Sequence, residues 1–281
     1  MTTNSSLVDA IGRAHAPASD ARIVCLVPSI TELLFALGLG DCVVGRTGFC
    51  THPRAKVRKV PKVGGTKDFD LEKLHALAPT HLIVNVDENP KAAVDAAAQF
   101  VPHVVVTHPM GPLDNPPLYR LLGGIFGAQA AAERLAKAFD QAYGAAVAST
   151  AQLPRERVLY LIWKDPWMTI SRDTYIARTL ASVGWDQIEI AGGDRYPAVD
   201  LSGVLSQADR VLLSSEPYAF RPRDVDAVAR MAHAQSAVPG HALPAVAVSL
   251  IDAEMTSWYG SRAIEGMRYL AGLRAGGAAP G

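Results

Sequence analysis

Asp70-Leu71-Glu72-Lys73-Leu74-His75-Ala76-Leu77-Ala78, closely followed by His81-Leu82-Ile83-Val84-Asn85-Val86, has a second version about 130 residues later in the chain. There, Asp200-Leu201-Ser202-Gly203-Val204-Leu205-Ser206-Gln207-Ala208 leads into Arg210-Val211-Leu212-Leu213-Ser214-Ser215. Each copy reads as a short helix feeding a buried strand that ends in polar residues, the pattern of a parallel sheet. A long Ala-rich stretch separates the copies. The duplication predicts two similar α/β lobes joined by a helix, with a ligand held in a cleft between them.

Outward from the first copy, Arg22-Ile23-Val24-Cys25-Leu26-Val27 reads as a buried strand stopped by Pro28. Ser29-Ile30-Thr31-Glu32 has the form of a capping box for a helix carrying Leu33, Leu34, Phe35 and Leu37 and closing at Gly38. Strands are expected at Cys42–Gly45, His81–Val86 and His103–Thr107, with helices at Leu71–Ala78 and Lys91–Phe100; such alternation implies βαβ units. From Leu118 to about Thr150 there is no proline, and Leu121, Leu122, Ile125, Phe126, Leu135, Ala138, Phe139 and Ala142 recur at helical spacing. At 1.5 Å per residue this predicts a rod of about 45 Å. The second lobe repeats the scheme: strand Arg157–Trp163, helix Thr174–Val183, strand Arg210–Ser215, helix Asp224–His233, strand Ala245–Leu250 and a closing helix from Ser257. The expected divisions are a first lobe over 20–112, a connecting helix over 116–152 and a second lobe over 155–275.

At 281 residues the chain can bury two cores. Its 27 basic and 27 acidic residues balance, and no basic tract stands out, which argues against nucleic acid as a partner. No stretch approaches 18 apolar residues, so no membrane span is expected. The N-terminal segment Met1–Asp20 is polar and Ala/Ser-rich without a signal-type apolar run. It predicts a cytoplasmic protein, or a periplasmic one should a leader precede it. The odd count of three cysteines, Cys25, Cys42 and Cys50, fits a reducing compartment.

In open parallel sheets, ligands bind beyond the carboxyl ends of the strands, so the loops there hold the candidate residues. Phe49, His52, Thr66, Lys67 and Asp87 lie in first-lobe loops; Trp163, Lys164, Trp167, Tyr196, Glu216, Tyr218, Trp258, Tyr259 and Arg262 lie in second-lobe loops. Aromatics interleaved with Lys164, Arg172, Arg195 and Arg262 suit a large, flat, partly anionic ligand; each aromatic alone could equally cap a sheet end. Cys50 and His52 are metal-ligand types two apart, without the paired spacing of a zinc site. There is no G-x-S-x-G elbow, P-loop or G-x-G-x-x-G fingerprint, and nothing shows that Asp87-Glu88 or Asp252 and Glu254 meet another catalytic group. A non-catalytic binding protein with no required cofactor is the expectation.

Val27-Pro28-Ser29-Ile30-Thr31-Glu32-Leu33-Leu34-Phe35-Ala36-Leu37, then Val63-Gly64-Gly65, then the Asp70–Val84 motif and the long helix, resemble the helical-backbone (class III) substrate-binding proteins of ABC transporters, with the cobalamin-binding branch nearest. The resemblance runs from about Arg22 to Leu273. It implies two Rossmann-like lobes and a corrinoid (cobalamin-type), haem or ferric siderophore, a metal chelate in each case, in the cleft. By position it implies ligand contact from Phe49–His52, Trp167, Tyr196 and Trp258–Arg262, while Thr66, Lys67 and Val86 stand where the cobalamin branch tends to place aromatics. It also implies an acid on each lobe that docks to an ABC permease. Glu72 matches the first and Ser202 replaces the second. Together with the missing signal, that points to a receptor fold outside transporter service. The rival expectation is a cytoplasmic enzyme or metal-handling factor on the same fold, chelatase-like or in corrinoid salvage.

Overall fold

The β-branched runs bounded by proline, glycine and polar residues form parallel strands in two separate sheets. The computed structural model describes residues 7–236 and 246–276. Ala245, expected to open the last strand, and residues 277–281 of the tail lie outside them. The described residues divide into two units. The first takes the chain up to Pro109, Leu113–Asp140 and Tyr259–Arg262; the second takes Met110–Pro112, Gln141–Trp258 and the chain from Ala263 onward.

In the first unit the strands are β1 (Ile23–Cys25), β2 (Val43–Arg46), β3 (His81–Asn85) and β4 (His103–Thr107), all parallel in the order β2-β1-β3-β4. Their helices are α1 (Pro28–Ala36), α2 (Arg54–Val57), α3 (Leu71–Ala76) and α4 (Lys91–Ala97). Val24, Leu26, Val63, Leu74, Leu82, Val84 and Val104 share one buried cluster. Full burial of each such side chain stabilises by about 1.5–3 kcal/mol. Strand order reverses between β1 and β3, the kind of switch point beyond whose carboxyl ends open α/β sheets bind ligands.

The expected connecting helix is two helices, α5 (Asn115–Ile125) and α6 (Gln129–Thr150). The break includes Gly127 at φ 72°, a left-handed conformation that closes a helix readily at glycine. No third body results, because the division between units falls inside α6, between Asp140 and Gln141.

The second unit has β5 (Glu156–Trp163), β6 (Met168–Thr169), β7 (Trp185–Gln187), β8 (Arg210–Ser214) and β9 (Ala247–Ile251). β5 pairs in parallel with β7 and β8, β8 with β9, and β6 runs antiparallel to β5. Helices α7 (Tyr175–Ser182), α8 (Leu201–Val204), α9 (Pro222–Ser236), α10 (Ala253–Ser257) and α11 (Ala263–Arg274) complete it. Leu159, Leu161, Leu201, Leu205, Val211, Leu213 and Val228 form its core.

The repeat is structural as well as textual. Asp70 caps α3 by accepting from the N–H groups of Glu72 and Lys73, and Asp200 caps α8 by accepting from Ser202 N–H. The helices then feed β3 and β8, equivalent inner strands of the two sheets. The capping box at Ser29 does not form: Pro28 starts α1, Val27 is its N-cap and no side chain caps it. Proline suits the first helical position, and Ser29 is pushed one place too far in to cap.

Gly64 is required by its backbone. Its φ is +119°, and a Cβ there would lie 2.8 Å from both Asp68 O and Phe69 Cα, so the loop ahead of Asp70 closes around a residue without a side chain.

Candidate functional site

In the first unit the residues beyond β3 are built on a network of amides. The Asn89 side chain accepts from Asn85 N–H (2.8 Å) and donates to Thr66 O (2.8 Å), while Asn85 Oδ1 accepts from Asp87 N–H (2.8 Å). These bonds join the Thr66 loop to the end of β3. Val86 is held beside them at 48% exposure, and Phe49, in the loop after β2, is 63% exposed. Lys67 and Asp87 are also exposed, His52 is half-buried, and Asp87 Oδ2 stands 3.4 Å from His108 Nε2.

Cys50 is turned the other way. Its buried sulfur lies 3.1 Å from Thr31 Oγ1 and 3.2 Å from Thr47 Oγ1, and burial raises its thiol pKa above the ordinary value. Cys25, also buried, is raised for the same reason. Both are core thiols. Among the described residues, no group of three or more histidine, cysteine, aspartate or glutamate side chains could hold a metal ion.

Tyr259–Arg262, expected in the second lobe, packs in the first unit. Tyr259 is buried and its hydroxyl donates to Glu88 Oε1 at 2.5 Å. Gly260 N–H donates to Asn115 Oδ1 (2.7 Å), Gly260 O accepts from the Tyr119 hydroxyl (2.8 Å), and Arg262 forms a bidentate pair with Glu32 (2.9 and 2.7 Å). Tyr259 and Arg262 therefore tie this segment down. The sequence reading missed Glu88 and Glu32 as its anchors, because their partners lie 171 and 230 residues away.

Burial pushes the Glu88 carboxyl up to about 7; the Tyr259 hydroxyl pulls it down and the Asp87 charge pushes it up. A carboxyl raised above its unfolded value contributes stability that is full below about pH 4.5 and lost as pH rises through about 7, on the order of 3 kcal/mol. His81 has the opposite sign, because burial, with His103 and His15, lowers it to about 4, so its contribution is lost as pH falls from 6.5 toward 4. Most of the Glu88 loss falls below about pH 6.5, where His81 opposes it; the remainder, about 1 kcal/mol or less, should lower denaturant midpoints between about pH 6.5 and 8 in the parent, and Glu88→Gln should abolish that fall. Equal slopes in the two proteins would disprove the assignment.

In the second unit the loops beyond β5 and β8 carry a chain of rings. Trp163 meets Tyr218 edge-on (centroids 5.7 Å apart), Tyr218 packs on Phe220 (4.7 Å), and Phe220 stacks on Trp167 (6.0 Å, 3° between planes). Lys164 Nζ lies 5.6 Å from the Trp167 ring centre and 2.9 Å from Asp224 Oδ1. Phe220 is the buried anchor of this run, and its place just ahead of the Pro222 helix start was the available signal. Trp163 stays 40% exposed and Tyr196 41% exposed. Glu216 is exposed and Trp258 half-buried.

Each unit thus leaves large apolar side chains in water: Phe49 and Val86 shortly after β2 and β3 in one, and Trp163 at the end of β5 and Tyr196 in the longer loop after β7 in the other. Exposure at loops fixed by rigid strands marks binding surfaces.

Comparison with known proteins bears on what such loops serve. The profile of the periplasmic binding protein family (Peripla_BP_2) matches residues 23–238. The Bacillus subtilis ABC transporter substrate-binding lipoprotein YvrC is 43% identical over 79 residues, which span 28% of this chain and 24% of that protein. A vitamin B12-binding protein of Vibrio vulnificus is 23% identical over 221 residues, 79% of this chain and 80% of that one. Among solved structures, the periplasmic vitamin B12-binding protein BtuF of Vibrio cholerae superposes with a TM-score of 0.75 at 17% identity, covering 92% of this chain and 98% of that one. The periplasmic haem-binding protein RhuT from Roseiflexus, in apo form, gives 0.71 at 24% identity, covering 90% and 97%. These structures share the fold, two α/β lobes.

The same comparison corrects the cytoplasmic expectation. Relatives and structural neighbours are a lipoprotein and periplasmic proteins, which points outside the cytoplasm. A polar N-terminal segment was a poor guide to compartment.

Proposed function

Because the chain belongs to the periplasmic binding protein family, whose profile covers residues 23–238, we propose that it captures a corrinoid of the cobalamin type for an ABC importer. Members of this family are ligand-binding components of ABC transporters, not enzymes; each works with a small-molecule ligand and a permease. The observation that carries the ligand class is the set of exposed loop side chains Phe49, Val86, Trp163 and Tyr196. Such side chains gain by covering a large, flat, largely apolar ligand. The name of the Vibrio vulnificus relative favours a corrinoid over other macrocycles. Haem is the second reading, favoured by the likeness to RhuT.

Glu72 is exposed in the first turn of α3 and Ser202 in the equivalent turn of α8; on this reading Glu72 is the acid that meets the permease. One acid in place of two would leave the docking contact asymmetric.

Thermal melts with cyanocobalamin, cobinamide, hemin and a ferric hydroxamate test the ligand. Cyanocobalamin at about 100 times its dissociation constant should add about 2.7 kcal/mol of stability. A shift with hemin alone would establish the haem reading. If no ligand in this panel shifts the melt, both readings are excluded.

A further inference from the structure

Between Asp41 and Asp68 the chain contains no acid but seven cations: Arg46, Arg54, Lys56, Arg58, Lys59, Lys62 and Lys67. The zero net charge of the whole chain conceals this segment, which the sequence reading passed over. The fold gathers four of the seven around a concavity of about 280 Å³ in the first unit, lined by Arg46, Arg54, Arg58 and Lys62 together with Gly48, Cys50, Thr51 and Val57.

Arg46 is the decisive residue. It closes β2 and is only 4% exposed. Its Nε donates to Val57 O (2.8 Å), and its Nη1 donates to Thr47 O (2.9 Å) and Cys50 O (3.1 Å). A guanidinium has five N–H donors, so these bonds use three and leave the pair on Nη2. Among the described residues, no protein acceptor takes that pair, and no carboxylate pairs with Arg46, Arg54, Arg58 or Lys62. Carbonyl oxygens orient a guanidinium but do not neutralise it. A buried cation without a counter-charge is costly, and proteins hold one where an anion completes the site.

We propose that Arg46, Arg54, Arg58 and Lys62 form an oxyanion site that takes a phosphate or carboxylate group. The free edge of Arg46 supplies a fixed donor pair, which matches the geometry of such a group. Arg54, Arg58 and Lys62 are exposed at the rim and supply charge. The site also reaches the loop that carries Phe49, since Arg46 holds the carbonyls of Thr47 and Cys50 on either side of it. An anion bound to Arg46 would stiffen that loop.

The oxyanion comes either from a free anion or from an acidic group on a larger ligand, and two arms of one experiment separate these sources. In the first arm, inorganic phosphate and citrate are titrated calorimetrically into the full chain at constant ionic strength, with chloride as the balancing salt. At least one should bind saturably, and the double variant Arg54→Gln/Arg58→Gln, which changes exposed side chains only, should weaken it by about tenfold or more. Arg120→Gln, an exposed change in α5, should not. Heats no different from chloride, equal binding by the double variant, or equal weakening by Arg120→Gln would each overturn the site. In the second arm, cyanocobalamin, which carries a phosphodiester, is compared with cobinamide, which lacks the nucleotide loop. Loss of the preference between them in the double variant assigns the site to the ligand's own phosphate, whereas an unchanged preference assigns it to a free anion. The first arm uses no macrocycle, so its result stands whichever ligand the protein carries.

Discussion

Glu156→Ala is expected to lower the stability of the second unit by about 3 kcal/mol, the cost of leaving a buried cation without its partner. Glu156 opens β5 and sits between two arginines: Oε2 is 2.7 Å from Arg210 Nε, and Oε1 is 2.7 Å from Arg274 Nη1. Trp185 Nε1–H also donates to it (3.1 Å), and the two guanidinium carbons lie 5.4 and 5.9 Å from the Trp185 ring centre. Burial pushes the Glu156 carboxyl up, but the bond to Arg210 and the charges of both arginines pull it down further, to a net value below the ordinary one. The stability it contributes is therefore full above the usual glutamate range and lost in acid. Arg274 is 8% exposed, so water cannot replace the carboxylate, and its remaining contact, to Pro154 O, does not neutralise it. At about 2–4 °C per kcal/mol, the melting transition of this unit should fall by roughly 6–12 °C, and Glu156→Gln should fall less because an amide still accepts. A fall of less than about 2 °C in Glu156→Ala would show that the cluster does not anchor β5.

Gly266→Ala is expected to destabilise by about 2–4 kcal/mol, against the sign that helix propensity predicts. Gly266 lies inside α11, where alanine normally gains about 1 kcal/mol over glycine. A Cβ at this position would run into the carbonyl oxygen of Met255 in α10, well inside contact distance. The obstacle is backbone, so relief requires moving one helix against the other. Denaturant unfolding of Gly266→Ala gives the answer directly: a gain in stability would mean that α10 and α11 do not approach as closely as described.

The fold was legible because its signals are local. Ile23–Cys25, His81–Asn85 and Arg210–Ser214 are runs of apolar, largely β-branched residues that serve as buried parallel strands, and Asp70 and Asp200 cap the helices that the duplicated text predicts. The errors came where distant parts of the chain decide. Glu32 looked like half of a capping box, but Arg262 claims it from 230 residues away and Pro28 already starts the helix. Tyr259 looked like a ligand-facing aromatic and is a buried donor to Glu88. The long helix was interrupted by a single left-handed glycine, Gly127, within a pattern otherwise periodic on both sides. Phe49, Trp163 and Tyr196, singled out because their type conflicts with their position in polar loops, are exposed in the structure. Arg46 was missed because nothing in a sequence shows that a cation at a strand end is buried.

The central claim, capture of a corrinoid by the exposed loop side chains, is tested most directly by equilibrium titration with cyanocobalamin followed in the visible spectrum. A saturable complex of one ligand per chain is predicted, with Phe49→Ser and Trp163→Ser each weakening it by about tenfold, as expected for removing an aromatic contact and its buried area. Absence of any spectral change with cyanocobalamin at concentrations well above those of the protein would contradict it.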